Sequence, residues 1–72
     1  MKTITAKRLE HGWSKTELGR QARIHPARVG QVENGLVIPY DVELRRLADA
    51  LRFKGDPVDL LADVDPGEND AA

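Results

Sequence analysis

A chain of 72 residues with no cysteine and two histidines has room for one domain with a modest core, and neither disulfides nor a thiolate zinc site to supplement it. No apolar run approaches the roughly 20 residues of a membrane span, and Met1-Lys2-Thr3 leads into a polar–apolar alternation rather than a signal-peptide core, so a soluble cytoplasmic protein with no membrane partner is expected. The formal net charge of -1 argues on its face against a polyanionic partner, but it averages a first half, residues 1–34, in which cations outnumber anions by four with a segment, residues 63–72, that holds four acids and no cation.

Apolar residues recur at helical spacing, and no alternating β-branched run suggests a sheet, so an all-α chain of five short helices is expected. The first spans roughly Ile4 to Glu10, with Thr3 as its cap, Ile4, Leu9 and the stem of Arg8 facing inward, and a stop at His11-Gly12. Ser14-Lys15-Thr16-Glu17 has the serine and glutamate of a capping box, and Trp13 and Leu18 flank it as a hydrophobic staple. The second helix therefore begins at Lys15 and runs to about Ala22. Arg23-Ile24-His25 is a short turn, and Pro26 suits the first position of a third helix because its missing N–H needs no partner there. That helix runs over 26–34, ending at Asn34-Gly35.

Leu36-Val37-Ile38-Pro39 is an apolar loop, followed by a helix from about Val42 to Leu51 with Leu44, Leu47, Ala48 and Leu51 on one face. Asp56-Pro57 opens a last helix of one or two turns carrying Val58, Leu60 and Leu61. One domain over 1–62 is expected, and residues 63–72 have too little apolar surface to order, which predicts a disordered acidic tail.

Two short helices joined by a turn of about three residues can hold the second helix away from its domain and offer it to a major groove. Leu18, Ala22, Ile24, Val29 and Val32 are placed to pack the pair together, with Gly19 at the closest approach, while Lys15, Thr16, Ala27, Arg28 and Gln31 fall on the outward face. In order along the chain stand Ser14, Leu18-Gly19, Arg23-Ile24-His25, Val29, Val32, Glu33-Asn34-Gly35, Pro39 and Leu44-Arg45-Arg46-Leu47-Ala48-Asp49-Ala50-Leu51. On this ordered set the segment Trp13 to Gly35, and more widely residues 4–62, resembles the lambda-repressor-like, or Cro/Xre-type, helix-turn-helix family.

The resemblance implies a compact five-helix domain whose recognition helix starts at Pro26. It implies that Lys15, Pro26, Ala27, Arg28 and Gln31 face double-stranded DNA. Gln31 can pair bidentately with adenine, Arg28 suits either guanine O6 and N7 or a phosphate, and Pro26 and Ala27 can touch a thymine methyl. Thr16 and Asn34 are placed for phosphates. It also implies an ion pair between Arg8 and Glu33 that fixes the recognition helix to its scaffold. A sequence-specific transcriptional regulator, read as a repressor, is the expected function, with a homodimer on DNA joined through Val58 and Leu61.

Three departures stand out. Arg23 occupies the turn position that is usually glycine, Pro26 and Ala27 replace polar residues, and Leu36-Val37-Ile38 replaces a polar loop. That loop or the acidic tail is the expected surface if a protein partner is captured instead. Trp13 reads as core, Ser14 as a cap rather than a nucleophile, and His11 and His25 as helix-end residues without a third ligand, so neither catalysis, cofactor nor metal is expected.

Overall fold

The computed structural model describes residues 1–64. The chain forms four α-helices, α1 (Thr3–Glu10), α2 (Lys15–Ala22), α3 (Pro26–Glu33) and α4 (Asp41–Leu51), followed by a 3-10 helix at Pro57–Leu61. No strand occurs among the described residues, only an antiparallel bridge between Lys2 and Asp63. The fifth element is thus a tight 3-10 turn, started by Pro57 and by Asp56, whose carboxylate accepts from Val58 N–H at 3.2 Å. Of the segment expected to be disordered, Asp63 and Val64 pair with the N-terminus, Val64 N–H donating to Met1 O at 2.7 Å. Residues 65–72 lie outside the described residues.

Ile4, Leu18, Val29, Val32, Leu47 and Leu60 are fully buried, so every helix and the 3-10 turn contribute to one core. Trp13, Val37, Phe53 and Leu61 close its edges. Leu9 does not join it. Ile4 and Arg8 lie one turn apart on the core face, whereas Leu9 is rotated ~100° beyond Arg8 and is exposed. Thr3 likewise does not cap α1: it is the first helical residue, and its hydroxyl donates to Ala62 O at 2.9 Å, tying the start of α1 to the end of the chain.

All four α-helices close in the same way. A residue with positive φ follows each, and the next N–H donates back five residues: Trp13 to Arg8 O, Ile24 to Gly19 O, Leu36 to Gln31 O and Phe53 to Ala48 O. The turning residues are Gly12, Arg23, Gly35 and Arg52, with φ of 72, 61, 74 and 54°. Two of the four are arginines, in a conformation that costs a Cβ-bearing residue about 1–2 kcal/mol.

Candidate nucleic-acid interface

The start of α2 is fixed by Ser14, whose hydroxyl accepts from Glu17 N–H at 3.0 Å. Only half of a capping box forms. The Glu17 carboxylate turns outward to Arg20 at 2.6 Å and Gln21 at 2.8 Å, and these bonds hold its pKa below the usual carboxylate range. Packing of α2 on α3 depends on Gly19: a Cβ there would lie 2.5 Å from the Ile24 carbonyl oxygen, inside any tolerable contact with rigid backbone. The turn at Arg23 then reverses the chain into α3. His25 caps that helix, its Nδ1 accepting from Ala27 N–H at 3.1 Å, which requires an unprotonated Nδ1.

Burial divides α3 into two faces. Val29, Val32 and Glu33 are buried; Ala27, Gln31 and Asn34 are exposed. The exposed three are spaced i, i+4 and i+7, the spacing of one helical stripe. Pro26 and Gly30 lie half-buried along the flank toward α2, where the exposed Lys15 lays its methylene stem 3.9 Å from the position a Gly30 Cβ would take. Thr16 is exposed one residue further on α2. Lys15 therefore borders the α3 flank that carries Pro26 and Gly30, beside the stripe of Ala27, Gln31 and Asn34.

Arg28, expected to meet guanine or a phosphate, is paired within the protein. It lies on the opposite flank of the stripe, and its guanidinium forks onto Glu43 of α4, Nε to Oε2 and Nη2 to Oε1, both at 3.0 Å. The bond to Glu43 raises the Arg28 pKa, and the same bond, with Tyr40 N–H assisting, lowers that of Glu43. Nothing local announces this pair, because its members are 15 residues apart and an acid in the first turn of a helix is explained by the helix dipole alone.

Arg8 and Glu33 meet in the interior. Arg8 Nε donates to Oε2 at 2.8 Å and Nη2 to Oε1 at 3.2 Å, Nη1 donates to Trp13 O at 2.8 Å, and Thr5 Oγ1 donates to Oε1 at 3.0 Å. The last turn of α3 is thereby bonded to α1 and to the chain entering α2. Among the described residues no buried side-chain nitrogen or oxygen lacks a partner.

The remaining candidates lie elsewhere. His11 stacks on Trp13 with ring centroids 4.4 Å apart, and its Nε2–H donates to Leu51 O at 2.9 Å. Among the described residues no three of His, Cys, Asp or Glu gather as a metal-ligand set. The 36–38 loop splits: Val37 packs on the core, while Leu36 and Ile38 are 73% and 85% exposed. In the 3-10 turn Val58 is exposed and Leu61 is half-buried against the core. No helix is long and apolar enough to cross a membrane among the described residues.

A family model described as a helix-turn-helix domain matches residues 4–61. No curated protein and no solved structure matches the chain.

Proposed function

Because the chain belongs to the helix-turn-helix domain family, a family of DNA-binding regulators, we propose that it is a sequence-specific transcriptional repressor of the Cro/Xre type that reads an operator half-site through α3. The observation that carries this reading is the exposed stripe Ala27, Gln31 and Asn34 on a helix whose other face is locked to α1 and α2. A short helix presents side chains to a groove only if its own orientation is fixed, and the Arg8–Glu33 bonds and the Gly19 contact supply that.

Within this reading Gln31 is the adenine reader and Ala27 with the Pro26 ring meets a thymine methyl. Lys15, Thr16 and Asn34 bind phosphates, setting register rather than sequence. A domain of this size makes few phosphate contacts, so two copies on half-sites one helical turn apart give useful affinity. Val58 supplies the exposed apolar contact of that dimer and Leu61 supports it from the core side. The domain occupies residues 1–62, works in the cytoplasm in association with the nucleoid, and shuts off transcription by occlusion, without catalysis.

Selection of bound duplexes from a random pool at two salt concentrations tests the proposal. An inverted-repeat consensus is expected, with weaker binding at the higher salt; a pool that stays random overturns it. The exposure of Leu36, Ile38 and Tyr40 favours one other reading, a protein-capturing module such as an antitoxin or anti-regulator on the same scaffold. Its mark is salt-insensitive capture of a protein with no preference among duplexes.

A further inference from the structure

The Arg28 guanidinium is held by two groups, the Glu43 carboxylate and the Tyr40 ring. Glu43 takes Nε–H and one Nη2–H. That carboxylate is itself anchored at the start of α4, where Tyr40 N–H donates to Oε1 at 2.8 Å. The Tyr40 ring lies 5.6 Å from the guanidinium carbon, within cation–π range. A guanidinium carries five N–H donors, and of the three left over, one on Nη1 and one on Nη2 form a second fork. The Arg28 side chain is 28% exposed, and its hydrogen bonds to Glu43 use Nε and Nη2, leaving Nη1 without a protein acceptor among the described residues.

A free arginine beside DNA is attracted to any phosphate, and that attraction carries no sequence information. An arginine already paired with a carboxylate has no net charge to offer at range, so what it retains is geometry: two parallel donors in a fixed plane. Guanine presents O6 and N7 in the major groove as two acceptors that match such a fork. On the DNA reading of α3, on which this rests, we infer that Glu43 is a specificity-determining positioning residue: it cancels the pull of Arg28 on phosphates and aims its remaining fork at a guanine edge.

The test uses the full chain, the duplex selected by the wild type, its single base-pair variants and an unrelated duplex, each at several salt concentrations. Glu43→Gln keeps the size of the side chain and an acceptor for Tyr40 N–H, and thermal unfolding verifies its fold. It is expected to bind the unrelated duplex more tightly and to steepen the slope of log affinity against log salt by about 0.9, one additional phosphate contact. Preference for guanine at one position falls roughly tenfold. Glu43→Asp retains the charge but withdraws the carboxylate by one methylene, so preference falls while the slope stays at the wild-type value. In an Arg28→Ala background neither substitution changes slope or preference. A Glu43→Gln chain with wild-type slope and preference overturns the inference, as does an effect that persists without Arg28, or an Arg28→Ala chain that loses affinity equally on all duplexes. A wild-type chain that selects no duplex overturns the DNA reading beneath it as well.

Discussion

Two arginine–glutamate forks grip α3, one at each flank, and their surroundings differ. In the Arg8–Glu33 pair the side chains are 11% and 3% exposed, and Arg8 spends Nε, Nη1 and Nη2 on protein acceptors. In the Arg28–Glu43 pair they are 28% and 15% exposed, and one edge of the guanidinium is unspent. The bond lengths are alike, so burial and leftover donors separate an architectural clamp from a fork with capacity for recognition. A buried pair matters chiefly because neither partner can be removed alone without stranding the other.

The largest expected effect lies on the buried side. Glu33→Ala strands the Arg8 cation and is expected to cost about 3–5 kcal/mol, a large share of the stability of a domain this size. Chemical denaturation measures it, and a loss below about 1 kcal/mol, the range of a solvent-screened pair, would erase the distinction. Glu43→Gln is expected to shift the denaturation midpoint far less than Glu33→Ala does.

Acid sharpens the contrast. The Arg28 bond lowers the folded-state pKa of Glu43 below its unfolded value of about 4.3. The stability this contributes is fully present above that value and disappears as pH falls through the folded pKa. Melting temperatures of wild type and Glu43→Gln should therefore differ by a constant amount above about pH 5 and converge as pH falls from there through the lowered folded pKa. A gap that widens on acidification contradicts the assignment.

The smallest effect concerns the helix ends, where α1 and α3 turn on glycine but α2 and α4 turn on arginine. Arg23→Gly relieves a left-handed Cβ and should raise stability by roughly 0.5–1 kcal/mol, with Gly35→Ala moving in the opposite direction. Thermal unfolding reads both, a few degrees each way. An Arg23→Gly chain that melts lower would show that its side chain, rather than its backbone, decides the turn.

What could be read from the sequence was local. Ser14, Pro26 and Gly35 act within a few residues of themselves, so the starts of α2 and α3 and the end of α3 were legible, and a 100° step per residue placed Ala27 and Gln31 together outside. Elsewhere competing partners, angular placement and remote pairing decide. Glu17 had two further donors, Arg20 and Gln21, within one turn and took them instead of closing the capping box. Hydrophobicity alone turns Leu9 inward, but its angular place beside Arg8 puts it outside. Glu43 and Asp63 were invisible as partners because the groups they meet, Arg28 and Lys2, come from remote parts of the chain. The Arg8–Glu33 pair is equally remote in sequence, and family resemblance rather than spacing brought it into view.

One substitution addresses the presentation of α3 most directly. Gln31→Ala removes an exposed amide from the centre of the stripe and touches no core contact. Measured against the selected duplex and its single base-pair variants, it should keep the wild-type melting temperature and salt slope while losing preference at one position, by about 1–3 kcal/mol. Unchanged affinity and unchanged preference in that variant would contradict the assignment of this face to DNA.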